Sequence, residues 1–173
     1  MTGHEIVNEA EVYVGYPIES DMALVAINEA MRVIADLGLV YDTISLDNVC
    51  AREWKALPSN FTHVLRVYDI NGYIYDDWEE IGGKIRFGDS GSYSVQFRKL
   101  PKRMADLLET PDINEGFLNS IVRFVREFAM QAKAEDFRYK NHDFTAFKEE
   151  VMKTHGYLTR RRRPKQVKVI RHA

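Results

Sequence analysis

The spacing of hydrophobic residues predicts helices on both sides of a central run of short strands. Residues 20–38 carry apolar side chains at intervals of three and four, the period of a helix with one buried face, and Gly38 provides a favourable end. The apolar positions of this helix are Leu24, Ile27, Met31 and Ile34. A broader stripe predicts the strongest helix over residues 113–137, opened by Asp112 and Glu115 as a capping box. Its apolar positions are Phe117, Ile121, Phe124 and Phe128.

Three other segments have shorter or weaker helical patterns. Residues 102–109 repeat apolar side chains until Thr110-Pro111 stops the pattern, because the residue before a proline disfavours the helical region. Residues 143–155 place Phe144, Phe147 and Val151 on one face and end at Gly156. Residues 4–14 form a short helix at most, since their period is weak.

The pattern changes from helical spacing to alternation between Leu57-Pro58 and Leu100-Pro101. Tyr93, Val95 and Phe97 alternate with polar residues, as in a strand with one buried face. Three turn signals divide the region: Asn71-Gly72, which favours a type I′ hairpin, Gly82-Gly83, and Asp89-Ser90-Gly91. We therefore predict an antiparallel β-meander over residues 52–101, preceded by a loop and short strand.

These elements predict an α+β fold. Residues 1–157 form a single, mainly helical domain of about four helices with the β-module inserted, and residues 158–173 form an extended basic arm. A chain of 173 residues is long enough to bury a core without disulfides or metal.

The net charge of −2 hides a strong asymmetry. The arm holds seven basic residues and no acid: Arg160, Arg161, Arg162, Arg163, Lys165, Lys168 and Arg171. The other 17 bases face all 26 acids, so residues 1–159 carry a net charge of −9. Such an arm binds anionic partners or acidic surfaces, and the alternative is a solvating tail. Gln166–Arg171 alternates like a single strand, a pattern suited to pairing with a sheet edge on another chain.

Several protein classes are disfavoured by composition. A single cysteine, Cys50, excludes an internal disulfide, favours a cytosolic fold, and is expected to be a small buried hydrophobe. The acidic N-terminal segment does not resemble an export signal, and no run approaches the roughly 20 apolar residues of a membrane span.

Two clusters in the β-module invite a chemical interpretation. The segment 69–72 resembles the start of a calcium loop, but its glycine comes two positions early and Glu80 reaches the twelfth position only by coincidence. The acidic group Asp76, Asp77, Glu79 and Glu80 lacks a neighbouring nucleophile, histidine or lysine. We interpret it as an exposed acidic contact rim.

No phosphate-binding glycine loop, nucleophile elbow or zinc-helix motif occurs in the sequence. The five histidines are scattered, with none at metal-ligand spacing from another. These observations predict a binding or structural protein rather than an enzyme, without cofactor or metal.

The order of elements and three strings resemble the head-to-tail adaptor proteins of tailed bacteriophages. The strings are L-P-x-x-F-x-x-V-L-x-V-x-D-x-x-G-x-x-Y (57–75), I-x-F (85–87) and Y-x-V-x-F-x-x-L-P (93–101), and the similarity covers roughly residues 20–157. The resemblance implies a virion structural protein located at the head–tail interface, and in the host cytoplasm before assembly. It implies a dodecameric ring that joins the portal protein to a tail or tail-completion protein, and through which DNA passes without specific binding or contact with a membrane.

A second class of function stays open on the residues alone. A nucleic-acid-binding accessory protein would use the same arginine-rich arm as its electrostatic contact with phosphates. The arm has no interleaved aromatic residues for base stacking, which favours the adaptor.

Overall fold

The computed structural model describes residues 1–133 and 144–162, the last three of them as helix backbone only. It confirms the α+β class. The helices are α1 (Gly3–Val14), α2 (Ser20–Asp36), α3 (Leu118–Lys133) and α4 (Thr145–Arg162). The strands are β1 (Tyr41–Val49), β2 (Lys55–Ala56), β3 (Phe61–Asp69), β4 (Trp78–Ile81), β5 (Lys84–Phe87) and β6 (Gly91–Lys99).

The helices enclose one hydrophobic core, the helical core. The predicted apolar positions of α2 and α3 lie in it, and only Leu24 remains half-exposed at its border. Phe124 of α3 contacts Phe147 of α4 with ring centroids 4.6 Å apart. The broad apolar face of α3 is thus covered within the subunit, which leaves little of it for a neighbour.

The strands enclose a second, separate core, the β core. They form two antiparallel sheets of three strands, with orders β1-β6-β3 and β2-β5-β4, rather than one continuous meander. The rings of Phe87 on β5 and Tyr93 on β6 stack at 4.0 Å between centroids and join the sheets. Tyr93, Val95 and Phe97 are buried as predicted. The difference arises because β6 pairs with two strands distant in sequence, β1 and β3, and not with β5.

The β-module begins at Tyr41 and not at residue 52. The first strand, β1, pairs with β6 along nearly its whole length, from Tyr41 with Arg98 to Val49 with Gly91. Only Ile44 and Leu46 of its middle residues contact the β core, and both stay half-exposed. An edge strand with so few buried positions has a weak alternation of polar and apolar residues, so the sequence predicts only a short strand before residue 52.

The two-residue hairpin turn lies at Gly82-Gly83 and not at Asn71-Gly72, where the sequence predicts it. Gly82 and Gly83 both have positive φ, 57° and 75°, and form the two-residue hairpin turn between β4 and β5. At the other turn only Gly72 has positive φ, at 82°, and Asn71 does not adopt the left-handed conformation. The predicted type I′ turn at Asn71-Gly72 is therefore wrong, and a longer loop closes there with Asp69 N–H donating to the Tyr73 carbonyl at 2.9 Å.

The predicted helix at residues 102–109 is wrong, since this segment is a loop. Its backbone groups bond to the helices instead of to each other. Met104 N–H donates to Asn28 Oδ1 on α2 at 2.8 Å, and the Leu107 carbonyl accepts from His4 N–H on α1 at 2.9 Å. Met104 and Leu107 are still buried, so the apolar spacing reported burial and not a helix.

The bounds of the last two helices also differ from the prediction. Asp112 does not cap α3: Asn114 accepts from Gly116 N–H and opens a short 3₁₀ turn, Glu115–Phe117, before the helix. Residues 134–137 and 143 of the predicted helices lie outside the described residues. α4 does not end at Gly156 but continues to Arg162, so the arm is not extended from residue 158 onward.

α1 is more regular than its weak hydrophobic period indicates. Thr2 accepts from Glu5 N–H and the Glu5 carboxylate accepts from Thr2 N–H, a complete capping box. Gly15, with φ of 73°, ends the helix in the left-handed conformation.

Candidate functional site

The loop that follows β3 exposes three large hydrophobic side chains. Ile70, Tyr73 and Ile74, which we call the hairpin tip, are 79%, 72% and 59% exposed. Asp69 fixes the loop, because its carboxylate Oδ1 accepts from the N–H groups of Asn71 at 2.9 Å and Tyr73 at 2.8 Å. A group of exposed apolar side chains on a loop held by hydrogen bonds is a candidate contact surface between proteins.

A second exposed apolar surface lies on the helical core, at the end of α1 beside α3. Val12 and Tyr13 are exposed there, and the guanidinium of Arg126 lies 5.7 Å from the Tyr13 ring centroid. A neighbouring cavity of about 320 Å³ is lined by Glu9, Tyr13, Asn119, Val122, Arg123 and Arg126. The hairpin tip follows β3 of the β-module, whereas Val12 and Tyr13 lie on α1, whose buried residues pack in the helical core, so each of the two parts of the subunit carries an exposed apolar surface.

A partly exposed cluster of three charged side chains ties the β-module to the segment before α3. Lys99, the last residue of β6, places Nζ 2.6 Å from Asp112 Oδ1 and 3.1 Å from Asp42 Oδ2, and its side chain is only 13% exposed. Asp112 also accepts from Lys102 N–H through its other oxygen at 3.0 Å. We call Lys99, Asp42 and Asp112 the junction cluster. It holds the start of β1, the end of β6 and the segment before α3 together.

The charges of the junction cluster shift the pKa of two members in opposite directions. Burial by itself lowers the pKa of Lys99, but hydrogen bonds to Asp112 and Asp42 and their negative charges raise it above 10.5. The hydrogen bond from Thr43 N–H lowers the pKa of Asp42 below 3.8, an effect opposed by burial and reinforced by Lys99. Both shifts favour the charged forms.

We expect the junction cluster to make stability depend on pH at both ends of the scale. A lowered carboxyl pKa contributes stability that is present above 3.8 and is lost as the pH falls through the folded-state value. A raised ammonium pKa contributes stability that is present below 10.5 and is lost as the pH rises. Urea unfolding from pH 2.5 to 11.5 checks this. In Lys99→Met the alkaline fall in stability should be shallower than in wild type because the titrating ammonium group is absent, whereas the acid fall should change less because Asp42 keeps its bond from Thr43 N–H. An alkaline fall as steep in the variant as in wild type would contradict the assignment.

The predicted acidic rim is not a uniform acidic surface. Glu79 accepts from Arg86 Nε at 2.8 Å, and Arg86 also lies 4.8 Å from the Trp54 ring centroid. Glu80 lies on the other side of β4, half-buried, where it accepts from Val64 N–H at 3.4 Å. Asp76 and Asp77 are exposed, and Asp77 and Glu79 line a mixed-charge cleft of about 410 Å³ with Arg52, Arg86 and Asp89.

The structure places only part of the predicted basic arm. Arg160, Arg161 and Arg162 belong to the last turn of α4. Arg163, Lys165, Lys168 and Arg171 lie outside the described residues. The arm therefore starts from the end of a helix that packs, through Phe147 and Val151, on the helical core.

Within residues 1–133 and 144–162, no group of three or more His, Cys, Asp or Glu residues is arranged to hold a metal ion. Cys50 is exposed, so the expectation that it is buried is wrong. Cys50 directly follows β1, at the point where the chain leaves the sheet, so neighbouring strands no longer bury its side chain.

In the part of the chain that the structure describes, no helix is both long and apolar enough to cross a bilayer. No protein-family model matches the chain, and no curated protein matches it significantly. The contact surfaces and the basic arm are therefore the features from which its function has to be inferred.

Proposed function

We propose that this chain is a head-to-tail adaptor of a tailed bacteriophage, a virion structural protein that assembles as a ring between the portal protein and the tail or a tail-completion protein. The resemblance of residues 57–75, 85–87 and 93–101 to such adaptors motivates the proposal. It implies a dodecamer with a central passage for DNA and no catalytic activity.

The main support for the proposal is that the subunit has two separate cores and an exposed apolar surface beside each of them. A ring subunit touches its two neighbours through different surfaces, and it touches the components above and below through others. The hairpin tip projects from the β-module, while Val12 and Tyr13 are exposed on the helical core. A free-standing binding module with one partner would need only one such surface.

The charge distribution is compatible with a DNA passage. Residues 1–159 carry a net charge of −9, and a predominantly acidic wall does not retain phosphates. The seven bases of the arm are concentrated in residues 160–171, where they are available for a contact with the portal or a neighbouring subunit.

Electron microscopy tests the proposal directly. The purified protein should be imaged alone and after mixing with portal-bearing heads that lack tails, and we expect a ring with a central hole at the portal vertex in the mixture. A chain ending at Arg162 keeps α4 but lacks four of the seven bases, so we expect it to add to the heads at least tenfold less efficiently.

The accessory DNA-binding alternative predicts a different outcome. Its protein would leave the portal vertex bare and bind duplex DNA with an affinity that falls steeply with salt, since each neutralised phosphate releases counterions. If the shortened chain bound the heads as well as the full chain does, the adaptor function would stand, but the arm would not be the part that contacts the portal.

A further inference from the structure

One long strand edge is open in the described part of the β-module, and it belongs to β1. The Val40 carbonyl accepts from Lys99 N–H at 3.1 Å, so the even-numbered residues of β1 direct their backbone groups towards β6. The odd-numbered residues Thr43, Ser45 and Asp47 direct theirs outwards, and all three are exposed. Thr43 N–H is already taken by Asp42 Oδ1 at 2.8 Å. The open groups therefore run from the Thr43 carbonyl to Asp47.

The other long edge is occupied. On the outer side of β3, the Val67 carbonyl accepts from Tyr75 N–H at 2.9 Å and Tyr68 bridges to Ile74. Val64 N–H donates to the Glu80 carboxylate at 3.4 Å. The strands of the smaller sheet are four residues or shorter. Exposed edges are templates for pairing with another strand, so the open edge of β1 is the place where an additional strand fits.

The sequence itself contains a segment with the pattern of an additional strand. Eleven residues follow Arg162, and polar and apolar residues alternate over Gln166–Val169 within a run to Arg171 that contains no proline. Six residues span about 20 Å, enough to cover the open part of β1. Lys165, Lys168 and Arg171 are basic, whereas β1 exposes the carboxylate of Asp47, so the charges are complementary.

The side chains also complement each other across the new pair. Ile44 and Leu46 lie on the face of β1 that contacts the β core and are half-exposed there. A strand added beside β1 would place Val167 and Val169 on one common face, where they would cover these two residues.

We infer that residues Gln166–Arg171 of one copy pair with the open edge of β1 on a neighbouring copy. This contact would supply a side-to-side link of the ring, and to that extent it rests on the proposed function. Strand addition uses backbone hydrogen bonds for affinity and alternate side chains for specificity.

A labelled peptide of residues 163–173 tests the pairing on the complete protein. The acceptor is the full chain carrying Val167→Pro and Ile170→Pro, which disables its own strand and leaves its β1 edge open. The matched control is the same peptide with the same two prolines: it keeps every charge, but lacks N–H groups of both parities along the strand. We expect fluorescence anisotropy to show binding of the natural peptide and at least about tenfold weaker binding of the control.

Amide hydrogen exchange then locates the strand. The natural peptide should slow exchange at Ser45 and Asp47, and should leave Asp42, Ile44 and Leu46, which already face β6, unchanged. Equal affinity of the two peptides, protection at another edge, or no binding would each overturn the inference. None of these results bears on whether a ring forms at the portal, so the inference and the proposed function fail separately.

Discussion

Replacing the hairpin tip with serine is expected to lower the yield of tailed particles about 100-fold. The variant Ile70→Ser/Tyr73→Ser/Ile74→Ser removes three large apolar side chains that are mostly exposed in the subunit. Burying one such side chain in an interface contributes about 1.5–3 kcal/mol, so losing three easily exceeds the roughly 2.7 kcal/mol that corresponds to a factor of 100. The yield is measured by counting complete particles after mixing heads, adaptor and tails.

The subunit itself should tolerate the change. Asp69 holds the loop through backbone N–H groups, which serine retains, so the free energy of unfolding should stay within about 0.5 kcal/mol of wild type. Leu108→Ser provides a matched control, because Leu108 is also exposed, at 74%, but lies in the loop before α3. An unchanged yield with the serine tip would show that the tip is not a contact surface.

Lys99→Met is expected to lower the free energy of unfolding by about 2 kcal/mol. The substitution keeps much of the side chain's volume but leaves Asp42 and Asp112 without the ammonium group that lies between them. Removing one member of a fully buried pair costs about 3–5 kcal/mol, and the partial exposure of both carboxylates reduces this figure. Equilibrium unfolding in urea at pH 7 measures the change.

Lys102→Met is the control for Lys99→Met: it shows how much stability is lost when a lysine outside the junction cluster is replaced. Lys102 Nζ lies 3.4 Å from the Glu109 carboxylate, but its side chain is 75% exposed, and exposed pairs contribute about 0–1 kcal/mol. We therefore expect a change below about 0.5 kcal/mol. If both variants lost the same stability, the junction cluster would have no special part in holding the β-module.

Most of the elements could be predicted where a local period exists. The residues of α2 and α3 that recur at three and four positions are buried except for the half-exposed Leu24, and the alternating face of β6 is buried as well. The α+β class and the insertion of strands between helices follow from these patterns. Periodicity reports these elements well because it depends on residues that are close along the chain.

Two of the errors fall where a backbone group finds a distant partner. Residues 102–109 have the apolar spacing of a helix, yet Asn28 takes both backbone groups of Met104. β1 has few buried positions because it is an edge strand, and its pairing with β6 bridges about fifty residues. Neither outcome has a local signature in the sequence.

The candidate contact surfaces also divide into features that the sequence determines and features that depend on the tertiary structure. The sequence by itself determined the seven bases of the arm, the turn glycines and the absence of familiar catalytic motifs. Only the tertiary structure decided that Lys99 meets Asp42 and Asp112, that Glu79 is paired with Arg86, and that the edge of β1 is open. The physical reason is that composition and local spacing are properties of the chain, whereas ion pairs and free strand edges depend on which distant segments the fold brings together.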